Sequence, residues 1–147
     1  MLYTPHFLTG AAIIKMIPNP AIGLPLSLLS HVALDMLPHH DFEVRPGMNI
    51  KDILNRGEKL TYFLLIAVGL DAILLLVSII WLLITKRNLM MILGGILAIL
   101  PDVIEQGLLV LGKRLPAIQD KFQYRVSARW GFISYPIVSL IALYILR

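Results

Sequence analysis

The sequence contains no cysteine, and few of its residues are charged. Without thiolates, disulfide bonds, iron–sulfur clusters and cysteine-based zinc sites are excluded, so any metal site must use histidine, carboxylate or backbone oxygen. Charged residues make up 15% of the 147 residues and hydrophobic residues 58%, whereas about a quarter of an ordinary soluble domain is charged. This composition predicts an integral membrane protein with no separate soluble domain.

Five apolar segments separate the polar stretches of the chain. They predict an all-α, polytopic membrane bundle of about five transmembrane or re-entrant helices, forming a single domain over residues 1–147, with helices at 5–17, 21–37, 61–85, 88–112 and 130–146. The first segment is shorter than the ~20 residues that a membrane span needs. The first two segments are therefore predicted to form a hairpin that either crosses the bilayer or re-enters it.

The basic residues are distributed unevenly between the two ends of this array. Nine of the 13 Lys and Arg residues lie in the two long connections, and the other four lie at the opposite side. The positive-inside rule therefore places the long connections in the cytoplasm. The net charge of +4 fits contact with anionic membrane lipid and gives no indication of nucleic-acid binding.

Small residues and ionisable residues both interrupt the apolar segments. The runs that begin at Gly10 and Gly94 are predicted to let helices approach closely. Ionisable residues at bilayer depth are costly and usually functional. His31 and Asp35 are four residues apart, so one helix face presents both, and His39 follows one turn later.

The depths of the ionisable residues agree with one another. At a rise of 1.5 Å per residue, four segments place such groups in the cytoplasmic half, within roughly 15 Å of that interface. The agreement predicts a single site toward the cytoplasm, formed by His6, His31, Asp35, Asp71, Asp102 and Glu105.

Simpler interpretations of these groups stay open. His31 and Asp35 could be a hydrogen-bonded structural pair inside the bundle. Asp71 could pair with a loop arginine or be protonated. Asp102 could cap the helix that restarts after the preceding proline, because carboxylates favour helix N-termini.

Three stretches of the chain resemble a known family. Residues 4–10 (TPHFLTG), 30–41 (SHVALDMLPHHD) and 100–102 (LPD) are similar to the small prokaryotic proteins classed as membrane-bound metal-dependent hydrolases, which are distantly linked to zinc-dependent phospholipase C. The resemblance covers the first 41 residues well and the third stretch loosely. It implies a set of metal ligands consisting of His6, His31, Asp35, His39 and Asp102.

The leading hypothesis is a metal-dependent hydrolase of the inner membrane that cleaves a phosphoester of a lipid or isoprenoid at the cytoplasmic face. It would hold one or two divalent metal ions, with zinc favoured, and His39 or Asp41 would be an optional ligand. Glu105 or Asp71 would act as a general base or orient a ligand histidine. The basic residues of the second long connection either set the topology or bind an anionic headgroup, and these are Lys113, Arg114, Arg125 and Arg129.

Two other functions fit the same residues. Buried acids with His31 could form an ion or proton pathway in a small transporter, which would then assemble as a homo-oligomer. The chain could also be a non-catalytic membrane protein with a structural metal site. Metal content, hydrolysis and ion flux distinguish the three.

Overall fold

The computed structural model describes residues 2–42, 47–55, 57–113 and 124–147 of the chain. These residues form helices and no β-strand, which confirms the all-α prediction for the described part of the chain. A single isolated parallel bridge joins His39 to Arg125. The helices are α1 (Tyr3–Met16), α2 (Pro20–Asp35), α3 (Ile50–Leu54), α4 (Glu58–Thr85), α5 (Leu89–Val110), α6 (Ala128–Gly131) and α7 (Ser134–Leu146).

Several helices begin where an asparagine supplies a cap. The side chain of Asn19 accepts a hydrogen bond from Ala21 N (3.0 Å) at the start of α2, and that of Asn88 accepts one from Met90 N (3.0 Å) at the start of α5. Asn49 forms a reciprocal capping box with Asp52 in α3. Such side chains satisfy N–H groups that have no partner inside the helix. Helices α1, α2, α4, α5 and α7 overlap the five apolar segments.

Two of the described helices, α4 with 28 residues and α5 with 22, are long and apolar enough to cross a membrane. Helices α1, α2 and α7 contain 14, 16 and 13 residues and are shorter than the ~20 residues of a full span. The prediction of five membrane-crossing or re-entrant helices therefore stays a prediction.

Helix α1 lies at the centre of the bundle, in contact with α2, α4, α5 and α7. Its side chains are buried on nearly every side, and Phe7, Leu8, Ala11 and Ile14 are at most 3% exposed. In contrast, α4 turns most of its leucines and isoleucines outward. The central helix of the bundle is therefore only 14 residues long, and the helices around it are longer or more exposed.

Helices α1 and α5 cross in direct backbone contact. A Cβ added at Gly94 would lie 2.8 Å from Gly10 O, and one added at Gly95 would lie 2.9 Å from Phe7 O. The Ser27 hydroxyl donates to Gly10 O (3.0 Å) at the same place. The prediction of a close helix approach at Gly10 and Gly94 is confirmed.

The short helices occupy one half of the length of α4. The N-terminus of α1 lies halfway along α4, because Tyr3 N donates to the Asp71 side chain (2.7 Å). At the other end, Lys15 Nζ donates to Ile145 O (2.8 Å) and Lys86 Nζ donates to Arg147 O (2.8 Å). Residues at the start of α1 are therefore level with the middle of the longest helix.

The helix crossing can be tested by adding one methyl group. Gly94→Ala places a Cβ against the α1 backbone, so we expect a loss of about 1–3 kcal/mol in unfolding free energy and a lower Tm in detergent. Gly107→Ala on the same helix meets nothing within 4 Å and gains helix propensity, so its Tm should stay or rise. Equal losses in the two variants would contradict close packing at Gly94.

Candidate metal centre

Three histidines and three aspartates meet at the end of the bundle where α1 begins and α2 ends. All three histidines are at most 1% exposed, and the aspartate side chains are between 4% and 13% exposed. Four parts of the chain contribute them: His6 from α1, His31 and Asp35 from α2, His39 and Asp41 from the residues after α2, and Asp102 from α5.

The carboxylate of Asp35 lies in the middle of the cluster. Its Oδ1 atom is 3.3 Å from His6 Nε2 and 3.9 Å from His39 Nε2. Its Oδ2 atom is 3.3 Å from His31 Nε2. One aspartate therefore faces the same ring nitrogen of three different histidines. His31 and Asp35 lie on one face of α2, as predicted from their spacing of four residues. His6 of α1 joins them there.

Asp102 closes the cluster from the α5 side. Its Oδ1 atom is 3.6 Å from His31 Nε2, and its Oδ2 atom is 4.0 Å from His6 Nε2. The ligand atoms of His6, His31 and Asp102 all lie within 4.8 Å of one another, so this group could hold a metal ion. Ligands bound tetrahedrally to zinc at 2.0–2.2 Å would be about 3.3–3.6 Å apart, which is close to the spacing found here.

Hydrogen bonds fix the tautomers of two of the histidines. The Nδ1 atom of His31 is 2.9 Å from Ala98 O, and that of His39 is 2.8 Å from Leu37 O. Because a carbonyl oxygen only accepts, each Nδ1 carries the hydrogen. In the neutral ring, Nε2 then presents its lone pair to the carboxylates. That contact is repulsive unless a proton or a cation lies between them.

Helix α5 contains a proline between Ala98 and Asp102. Pro101 has no N–H, so it cannot donate to the carbonyl oxygen of Leu97, four residues earlier. The next carbonyl oxygen, that of Ala98, accepts a hydrogen bond from His31 Nδ1. Pro101 thus lies between the residue that orients the His31 ring and Asp102.

His6 is held by stacking rather than by hydrogen bonds. Its ring lies on that of His31, with centroids 4.4 Å apart and an interplanar angle of 26°. Within the described residues, neither ring nitrogen of His6 has a hydrogen-bond partner, and His31 Nε2 and Asp102 Oδ2 are also buried without one. Unsatisfied buried polar atoms are costly. Here His6 Nε2, His31 Nε2 and the Asp102 carboxylate face the same small volume.

Asp41 connects the cluster to the second long connection. Its Oδ1 atom is 2.8 Å from His39 Nε2, and its Oδ2 atom accepts from Arg125 Nε (2.9 Å). Burial by itself would raise the pKa of Asp41, but the adjacent His39 ring and the hydrogen bond from Arg125 hold that pKa well below its usual range. Asp41 is therefore ionised, and it adds a negative charge beside His39.

Backbone hydrogen bonds keep Arg125 at this position. His39 N donates to Tyr124 O (3.1 Å), and Val126 N donates to His39 O (2.9 Å). The segment around Arg125 thus runs parallel to the chain around His39 and covers one side of it. Sequence reasoning treated Asp41 only as an optional ligand and did not find its contact with Arg125. The two residues are 84 positions apart in the sequence, so no local pattern indicates their contact.

The open side of the cluster faces Asp102 and Asp41. Their side chains are each 13% exposed, whereas those of the three histidines are nearly inaccessible. Glu105 lies one turn beyond Asp102 on α5, is half-buried, and is close enough to Asp102, Asp35 and Asp41 to interact with them electrostatically. Glu105 and Asp102 therefore lie on the same face of α5.

Asp71 has a different set of contacts from the other predicted site residues. Its carboxylate accepts hydrogen bonds from Tyr3 N (2.7 Å) and Thr4 N (3.1 Å), and it is 3% exposed. These partners are the first backbone N–H groups of α1. The hypothesis that Asp71 acts as a general base stays a prediction.

Among the four basic residues considered for headgroup binding, Arg125 is the one whose side chain is seen to reach the cluster. Lys113 lies at an exposed end of a described segment. Arg114 and the side chain of Arg129 are outside the described part of the chain.

Comparison with protein-family models, curated proteins and solved structures finds no match to this chain.

The cluster makes a direct prediction about metal binding. His31→Ala removes the ring that faces both Asp35 and Asp102, so we expect Zn²⁺ affinity to fall by at least about 100-fold, the upper end of the loss for outer partners of metal ligands. Mass spectrometry of metal in detergent-purified protein measures it. His40→Ala is the matched control, because His40 contacts Val126 O instead. Equal zinc in wild type and His31→Ala would contradict the site.

Proposed function

We propose that the chain is a membrane-embedded, metal-dependent hydrolase that cleaves a phosphoester of a lipid or isoprenoid. The observation that supports it most strongly is the shared arrangement of His31 and His39. Each donates Nδ1–H to a backbone carbonyl and directs Nε2 toward carboxylates. Metal-binding histidines in proteins use this arrangement. The proposal also adopts the resemblance to the membrane-bound metal-dependent hydrolases.

The types and spacing of the ligands favour zinc. Magnesium and calcium prefer sites made of oxygen atoms, whereas imidazole suits zinc and its neighbours in the first transition row. The nitrogen–oxygen distances of 3.3–4.0 Å around Asp35 and Asp102 are wider than direct hydrogen bonds and close to the edges of a zinc tetrahedron. His6, His31, Asp35 and Asp102 are the proposed ligands, with His39 available to a second ion.

The proposed chemistry divides between the ion and the protein. A divalent cation supplies Lewis acidity, which polarises a phosphoryl oxygen and makes water nucleophilic at neutral pH. Glu105 is the proposed general base, since it is half-buried one turn after Asp102 on α5 and would take the proton of the attacking water. Arg125, whose side chain is 32% exposed beside Asp41, is positioned to attract an anionic headgroup.

The apolar surface supports a lipid substrate. Two bilayer-length helices flank the cluster, and α2 and α7 also expose apolar side chains such as Leu29 (61%) and Leu140 (64%). Contiguous exposed apolar surface indicates contact with a membrane or a partner. A substrate with a hydrocarbon tail and a charged headgroup would match both this surface and the cluster. We place the protein in the inner membrane, with the site toward the cytoplasm.

Glu105→Gln tests the hydrolase. Because the proposed base is not a metal ligand, we expect the variant to keep its zinc and to lose turnover of phosphatidic acid or polyprenyl phosphate by about 10²–10⁴-fold. Phosphate release from mixed micelles measures the loss. Glu58→Gln, at the exposed start of α4, is the matched control and should keep full activity.

Other results would favour the alternatives. Zinc-loaded wild type that hydrolyses no lipid phosphate but carries cations or protons across proteoliposomes would point to transport. Zinc that changes only the Tm would point to a structural site.

The orientation can be tested with reporter fusions. A phosphatase that is active only outside the cytoplasm should be silent when fused after Gly57 and active when fused after Arg87, because α4 lies between the two positions and the basic connections favour the cytoplasm. Activity at the first position and silence at the second would reverse the orientation.

A further inference from the structure

Helix α1 has no cap of its own. The residue at its cap position, Leu2, makes no side-chain hydrogen bond, and the first turn contains no acidic residue. Pro5 lacks an N–H, and the N–H of His6 is the first that can bond to the Leu2 carbonyl, so the helical donors without an intrahelical partner are those of Tyr3 and Thr4. In a core with little water, such donors require a partner from elsewhere in the protein.

Asp71 of α4 supplies that partner. Its Oδ2 atom accepts from Tyr3 N at 2.7 Å and its Oδ1 atom from Thr4 N at 3.1 Å. The Thr4 hydroxyl in turn donates to the Asp71 backbone oxygen at 3.1 Å. A carboxylate at a helix N-terminus also interacts favourably with the helix dipole. Three hydrogen bonds therefore join the first turn of α1 to the middle of α4.

His6 follows Thr4 by two residues and lies in the same turn. Within the described residues its ring nitrogens make no hydrogen bond, and its ring is oriented by stacking on His31. The position of His6 Nε2 relative to Asp35 and Asp102 is therefore set by where the α1 backbone begins. That backbone position depends on Asp71.

We infer that Asp71 is a positioning residue, which fixes the start of α1 and thereby holds His6 in place as a metal ligand. The inference rests on the proposed metal site. It gives Asp71 a role other than proton transfer, because both of its carboxylate oxygens accept backbone N–H groups. An outer group that orients a ligand commonly changes metal affinity by 10–100-fold.

The test compares Zn²⁺ affinity, the absorption spectrum of bound Co²⁺ and the Tm in full-length, detergent-purified protein. Asp71→Ala should weaken Zn²⁺ binding at least about tenfold and alter the Co²⁺ spectrum. Asp71→Asn keeps one acceptor oxygen and should lie between Asp71→Ala and wild type. If Asp71→Ala does not fold, the Zn²⁺ affinity and Co²⁺ spectrum of Asp71→Asn test the inference instead.

Asn19→Ala is the matched control for stability. It removes a helix cap from α2, the helix that carries two of the ligands, but at the end remote from the cluster. We expect a lower Tm, since losing a cap costs about 1 kcal/mol, with unchanged Zn²⁺ affinity and Co²⁺ spectrum. A loss of affinity in Asn19→Ala as large as that in Asp71→Ala would reduce the effect of Asp71 to general stability and overturn the inference.

A rescue variant separates positioning from proton transfer. Leu2→Asp, added to Asp71→Ala, gives α1 a cap within its own chain, and the extended backbone at this residue (φ −69°, ψ 159°) suits a capping residue. We expect Zn²⁺ affinity to recover at least several-fold. Wild-type affinity and spectrum in Asp71→Ala, or no recovery in the double variant, would overturn the inference while the metal site stands. Absence of Zn²⁺ binding by wild type would instead refute the proposed metal site, and this inference with it.

Discussion

The structure depends on an electrostatic conflict that its helices bring together. Asp35 and Asp102 point their oxygens at Nε2 of His31, a ring whose other nitrogen, Nδ1, already donates to a backbone carbonyl. In an interior of low polarity, this arrangement is unfavourable without added positive charge. One divalent cation between these atoms would turn the repulsion into attraction.

The packing of the helices brings the residues of this cluster together. Because Gly10 and Gly94 have no side chains, α1 reaches the backbone of α5, and His6 and Asp102 come within 4.0 Å. Because α1 starts halfway along α4, the cluster is level with the middle of a bilayer-length helix. Residues after α2 and the segment around Arg125 then cover the cluster where the short helices end.

The sequence predicted the parts of the structure that depend on local spacing. Periodicity along α2 placed His31 and Asp35 on one face, apolar runs located the longer helices, and glycine runs marked the helix crossing. The helices were also expected to bring His6 and Asp102 to the same place, as they do. Two features could not be predicted in this way. Asp71 bonds to backbone N–H groups 67 and 68 residues away, and Asp41 bonds to Arg125 across 84 residues.

The cluster is not equally accessible from every side, and this restricts how a substrate would meet it. The three histidines have at most 1% of their surface exposed, so their rings cannot move without unpacking the core. Asp102 and Asp41 are the ligand-type side chains with some exposure, and Asp41 is also engaged by Arg125. Asp102 is therefore the carboxylate best placed to shift when another oxygen approaches. Since it precedes Glu105 by one turn, that movement would open the cluster on the side of the proposed base.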